Sequence, residues 1–154
     1  MDAGTIGEYY VLCELWRRGF NALKSENPRE ENWDILILSE TYSKTITKIQ
    51  VKTIDWNNKT KSKVLTGKYY TDFDYLFIVI LNYMNIGYSI YIIPKSKIKP
   101  KGKGQRNILV DSVGNFLYKN RTISCTKIMT TDKAQKYRDN WGGIYKQCGI
   151  ELKK

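Results

Sequence analysis

Residues 46–53 alternate strictly. Ile46, Lys48, Gln50 and Lys52 fall on one face of an extended chain, and Thr47, Ile49, Val51 and Thr53 fall on the other. A period of two marks a β-strand, and this is the clearest one in the sequence. Just upstream, residues 33–38 form a short apolar run that reads as a buried strand, with a turn over 40–44 between the two. The pair is therefore expected to be an antiparallel hairpin. Residues 25–32 are polar, carry Pro28, and read as a loop.

Around this hairpin the other elements are less sharply written. Residues 5–18 predict an amphipathic helix, because Tyr9, Leu12, Cys13 and Trp16 recur at helical spacing. Thr5 with Glu8 three residues later fits a capping box, and Gly19 supplies a stop. A short strand follows at 20–23. Residues 75–81 and 88–93 are apolar strands joined by a turn over 82–87. A further hairpin is expected from 108–113 and 116–118 around Gly114-Asn115, and a closing helix from 131 through 141, ending at Gly142-Gly143. No repeat or linker divides the chain, so residues 1–154 are expected to form one domain. Its class is α/β: a central mixed β-sheet flanked by helices.

Charge narrows the partners. The chain carries 26 Lys and Arg against 15 Asp and Glu, a net +11, and such an excess suits a polyanion. Two stretches hold most of the candidate contacts. The first contains Lys59, Lys61, Lys63 and Lys68; the second contains Lys95, Lys97, Lys99, Lys101, Lys103 and Arg106. Both could be merely solvated loops, but the basicity of the whole chain favours phosphate contact for at least one. A membrane partner is not expected, because the run 75–81 is far too short to span a bilayer. No basic region followed by an apolar stretch opens the chain, and three scattered cysteines make no disulfide framework, so a cytoplasmic setting is expected.

There is no histidine. That excludes Ser-His-Asp and Cys-His catalysis and His-ligated zinc hydrolysis, and leaves carboxylates, amides, lysines, tyrosines or a metal on oxygen ligands. The hairpin can supply such a site. Asp34 opens one strand, and Gln50 and Lys52 share a face of its neighbour. The Asp34 carboxylate would hold a metal, with the Gln50 side-chain oxygen and the Val51 carbonyl completing the protein ligands. Lys52 would position the attacking water and offset phosphate charge.

These residues carry a resemblance. Gly4-Thr5-Ile6-Gly7-Glu8 at a helix start, Asp34-Ile35-Leu36-Ile37, Ile49-Gln50-Val51-Lys52-Thr53 and the strand Phe73-Asp74-Tyr75-Leu76-Phe77-Ile78-Val79 together resemble the PD-(D/E)XK, restriction-endonuclease-like nuclease superfamily. The likeness covers about residues 3–95; the C-terminal strands and helix over 106–146 lie beyond it. It implies a Mg²⁺-dependent DNA endonuclease, with Mn²⁺ able to substitute. The family's metal-binding Asp falls on Asp34, its second acidic ligand on Gln50, its Lys on Lys52 and its helix glutamate, a further metal ligand, on Glu8. Trp33 stands where the motif has proline. Gln50 replaces the usual acid, as in some Holliday-junction-resolvase-like and homing endonucleases, and lowers the negative charge of the site.

The same resemblance, with the symmetry of duplex or branched DNA, implies a homodimer or higher oligomer. Other readings stand beside it. Glu8 could serve only the capping box, and Gln50 and Lys52 could be the wet face of a strand. The whole chain could be a catalytically inactive nucleic-acid-binding module on this fold, or an RNA-binding or partner-binding basic protein.

Overall fold

The alternating strand and the apolar run before it do pair, and they form the middle of a larger sheet. The structure, a computed structural model, describes residues 1–27, 32–39, 46–59, 62–85 and 87–149. Helix α1 (Ala3–Arg17) is followed by β1 (Asn21–Lys24), β2 (Ile35–Leu38), β3 (Ile46–Asp55), β4 (Val64–Thr66), β5 (Tyr75–Leu81) and β6 (Tyr88–Pro94). Then come β7 (Ile98–Pro100), β8 (Phe116–Tyr118), β9 (Thr122–Ser124), α2 (Asp132–Gln135) and α3 (Gly142–Gln147). Five strands make a sheet in the order β1-β2-β3-β5-β6. Only the β3–β5 contact is parallel, so the sheet is mixed, as expected. The turn over 40–44 lies outside the described residues.

All seven residues of β5 are buried, because both faces of the sheet are covered. On one face, Ile49, Val51, Phe77 and Val79 pack against Val11, Leu12 and Leu15 of α1 and Ile144 of α3. On the other, Leu76, Ile78 and Ile80 pack against Leu65, Ile123, Ile128 and Tyr137. That second face is covered mainly by two small ribbons, β4–β9 antiparallel and β7–β8 parallel, rather than by long helices. Among the described residues no helix is long and apolar enough to cross a membrane.

Helix α1 starts earlier than its sequence suggests. Asp2 is the N-cap, its carboxylate accepting the Thr5 N–H at 2.8 Å, so the expected capping box of Thr5 and Glu8 does not form. An ionised carboxylate is at least as good a cap as threonine, and starting at Ala3 adds most of a turn. Glu8 is thereby released from the helix end. At the other end of α1, Glu14 accepts from Tyr88, Arg17 and Arg18 and ties the helix to β6. Burial works to raise the Glu14 pKa, but these donors together outweigh it and bring it to about 2.

The helix sits close to the sheet because Gly7 has no side chain. A β-carbon there would lie 1.9 Å from Thr53 Oγ1 and 2.9 Å from Thr53 Cβ. Gly7→Ala is therefore expected to lower stability by about 3 kcal/mol or more, through overpacking that neither element can relieve. Chemical denaturation would show it. Thr53→Ala in the same chain should restore part of the loss, since it removes the offending hydroxyl, which has no hydrogen-bond partner among the described residues.

Two C-terminal expectations are corrected. Residues 108–113 do not form a strand, although the turn at Gly114-Asn115 does bring the two segments together: Val110 bridges Phe116, and the Leu117 N–H donates to the Leu109 carbonyl at 2.9 Å, while β8 makes its ladder with β7. The closing helix is broken. Asp139 has φ 51°, and the backbone of Tyr137 and Asp139 bonds to Ile92 and Ile90 of β6. Those bonds cover the exposed edge of the sheet, which a continuous helix could not do. The Gly142-Gly143 pair then begins α3 rather than ending a helix.

Candidate active site

The β2–β3 ladder runs from Leu38↔Ile46 to Ile35↔Ile49 and stops there. Asp34 stands one step past its end. Its backbone N–H donates to the Ile49 carbonyl at 2.8 Å, and its carboxylate accepts the Val51 N–H at 2.6 Å. One residue thus bridges positions 49 and 51 of β3, with Gln50 facing it. In an extended strand the N–H and C=O of one residue leave on the same side, so the Val51 carbonyl also opens toward the end of β2. Gln50 and Lys52 share the opposite face from Ile49 and Val51, as their alternation predicts. The Gln50 amide makes no hydrogen bond among the described residues. Asp34 thus stands at the end of the β2–β3 ladder, beside the stretch of β3 that carries Gln50 and Lys52.

Burial shapes their charge. Asp34 is 7% exposed, and loss of solvent raises its carboxyl to about 6. The Val51 N–H, Lys52 and Lys24 oppose that rise, and Glu8 adds to it. Burial likewise lowers the Lys52 ammonium below the usual lysine range; Asp34 and Glu8 hold it up, while Arg121 pushes it further down. Glu8 faces this group from α1, and its carboxylate is paired with Lys24 at 2.7 Å. Lys24 was missed by sequence reading because it belongs to β1, whose place beside β2 is set by the sheet.

The donor set is hard oxygen: two carboxylates, one amide and one main-chain carbonyl. Among the described residues no three His, Cys, Asp or Glu side chains gather to hold a metal. The set still fits a small divalent cation. A carboxyl raised by burial, with one oxygen left without a hydrogen bond among the described residues, is an acceptor that an added cation would stabilise.

The basic stretches divide on inspection. Lys59, Lys68, Lys99, Lys103 and Arg106 are exposed, and Lys97 is half-buried. Lys61 lies outside the described residues. Two predicted phosphate contacts are turned inward instead. Lys63 donates to the carbonyls of Asp55 and Asn58, and Lys95 donates to those of Tyr69 and Thr71 while lying over the Phe73 ring. Their ammonium groups satisfy loop carbonyls that would otherwise lack partners. A cleft of about 220 Å³ gathers Lys101 and Arg106 with Lys127, beside Asn107, Ser124 and Thr126, and contains no acid. Lys127 and Arg121 were not singled out from sequence, because residues 116–130 are of mixed polarity and form no continuous basic stretch.

No family model matches the chain, and no curated protein does. Among solved structures, its fold is similar to that of a bacterial homing endonuclease, I-Ssp6803I. The superposition has a TM-score of 0.55 at 19% sequence identity, and covers 95% of this chain and 92% of that one. Nearly the whole length is shared, including the C-terminal region that the sequence motifs did not reach.

Proposed function

We propose that this protein is a metal-dependent DNA endonuclease of the PD-(D/E)XK type, with Asp34, Gln50, Val51 and Lys52 as its centre and Glu8 beside them. What supports this reading is a buried carboxylate, Asp34, bonded to the Val51 N–H beside the strand face that carries the Gln50 amide and the half-buried Lys52 ammonium. Likeness in fold to a homing endonuclease supports it. So does the net charge of +11, which suits DNA as the partner.

The residues divide the work. Asp34, the Gln50 side-chain oxygen and the Val51 carbonyl would hold Mg²⁺, or Mn²⁺ in its place, with Glu8 as an outer carboxylate. When bound, such an ion supplies charge to the phosphate and lowers the pKa of water. Lys52, half-enclosed and adjacent, donates hydrogen bonds to a phosphate oxygen and to the attacking water, and its positive charge offsets what develops on phosphorus. Attack by water breaks the P–O3′ bond, leaving a 5′-phosphate and a 3′-hydroxyl. The exposed lysines and the Lys101, Arg106 and Lys127 cleft would grip the duplex. Two copies of the chain would bring one site to each strand.

A nicking assay tests this. Purified protein with supercoiled plasmid should cut in Mg²⁺ and stop in EDTA, and Lys52→Ala should cut at least about a hundredfold more slowly. Gln50→Glu should bind the metal more tightly and retain or exceed the original rate, since it restores the missing charge. If wild type binds plasmid yet never cuts, the chain is a binding module and the hydrolytic reading fails. Equal cutting by wild type and Lys52→Ala would trace the activity to a contaminant.

A further inference from the structure

The small ribbon β4–β9 passes directly over Lys52. Its register is Val64↔Ser124, Leu65↔Ile123 and Thr66↔Thr122. One step further, the Gly67 N–H donates to the Arg121 carbonyl at 2.8 Å, so Gly67 and Arg121 continue the same ladder as partners. Leu65 and Ile123 face the core, while Val64, Thr66 and Ser124 are exposed. Gly67 is buried beneath the ribbon, and Arg121 belongs to the tight turn that precedes β9.

What occupies the place of the missing Gly67 side chain is the end of Lys52. A β-carbon on Gly67 would stand 2.9 Å from Lys52 Cε and 3.4 Å from its Nζ. Paired backbones lie about 5 Å apart, so the Lys52 ammonium is within reach of a side chain rooted at Arg121. Arg121 is exposed and makes no ion pair among the described residues. It is aimed by a tight turn in which Lys119 and Thr122 exchange backbone hydrogen bonds at 2.9 and 3.1 Å, with Asn120 in the left-handed region at φ 57°. Two cations thus stem from neighbouring places on separate scaffolds, Lys52 from β3 and Arg121 from the turn before β9. An anion between them could accept hydrogen bonds from both.

We propose that Arg121 is a second cationic contact of the scissile phosphate, bound across from Lys52. The guanidinium fork suits two non-bridging phosphate oxygens, whereas Lys52 offers a compact charge. This inference rests on the endonuclease reading for what happens to the phosphate, though not for its binding.

The test uses the full chain and two readouts. In single-turnover cleavage of a DNA duplex with Mg²⁺, Arg121→Ala should be roughly 30-fold slower, and Arg121→Lys should recover part of that rate. Affinity for the same duplex in EDTA should fall less than about fivefold, with the salt slope reduced by about one. Lys133→Ala, which removes an exposed charge on α2, should leave the rate unchanged. In the metal-free measurement, Lys52→Ala and Arg121→Ala should be less than additive, because both would lose the same phosphate. Strict additivity, or a rate unaffected by Arg121→Ala, overturns the proposal. If wild type binds but does not cut, the endonuclease reading falls, and the additivity measurement alone still decides whether the two cations share a phosphate.

Discussion

Asp34→Asn should abolish cleavage and, in the absence of metal, make the protein harder to unfold. The loss of activity follows from removing the one buried carboxylate at the opening of the sheet. It should exceed the roughly 10²–10³-fold effect typical of deleting a single transition-state donor. The gain in stability follows from burial. The folded state raises this carboxyl from its usual 3.8 to about 6, so it holds a proton more tightly than the unfolded chain does. The stability of the native protein therefore declines as pH rises from about 4 to about 6, and the full penalty is present above that. A shift of this size corresponds to on the order of 3 kcal/mol. An amide keeps the shape but accepts the Val51 N–H less strongly, so a net gain of about 1–2 kcal/mol is expected.

For a domain of this length that is a rise of about 2–8 °C in Tm at pH 8, shrinking toward zero below pH 4. Thermal melts across pH check it. Adding Mg²⁺ should reverse the order of the two proteins, because only wild type gains the stabilisation of a ligand bound to the native state. A variant that melts lower than wild type at pH 8 without metal would show that the Asp34 carboxylate holds the β2–β3 junction together, and that its charge is not a burden.

Gly67→Ala should impair catalysis nearly as much as Lys52→Ala while leaving the fold intact. The added methyl meets the end of a flexible side chain, Lys52 Cε at 2.9 Å, and a Tyr69 ring carbon at 3.3 Å. The lysine can swing away at little cost to stability, but its ammonium then leaves the site. Displacing a reacting group by about 1 Å can slow a reaction about a hundredfold. Single-turnover cleavage should fall by that order, with Tm within about 3 °C of wild type. Cleavage at the original rate would mean that Lys52 works from a different position than the one it occupies against Gly67. The fold-preserving character of this change separates it from Gly7→Ala, where the collision is with Thr53 Oγ1 and Cβ, close to the β3 backbone.

Much of the candidate site's local geometry was legible in one dimension because it is set by neighbouring strands. Strand alternation alone places Gln50 and Lys52 on one face, and a hairpin places Asp34 opposite Gln50 without any knowledge of the rest of the fold. The apolar run of β5 likewise announces a strand wherever it lies. Glu8 was ambiguous for a physical reason: Thr5 and Asp2 can each cap the helix, and only the choice of Asp2 frees Glu8 to meet Lys24. The basic stretches were visible as charge, but not which ammonium groups remain available, since Lys63 and Lys95 bond to carbonyls that become neighbours only on folding.

Local periodicity and turn chemistry thus determined the hairpin, the strands of the central sheet and the residue types at its opening. Tertiary structure decided everything that depends on pairing between distant segments. It set β4 against β9, which brings the Arg121 backbone to Gly67 and Gly67 to the end of Lys52, and it broke the C-terminal helix. The bonds in which the Tyr137 carbonyl accepts from Ile92 of β6 and the Asp139 N–H donates to Ile90 compete directly with helical ones, and no propensity within residues 131–141 encodes the presence of that edge.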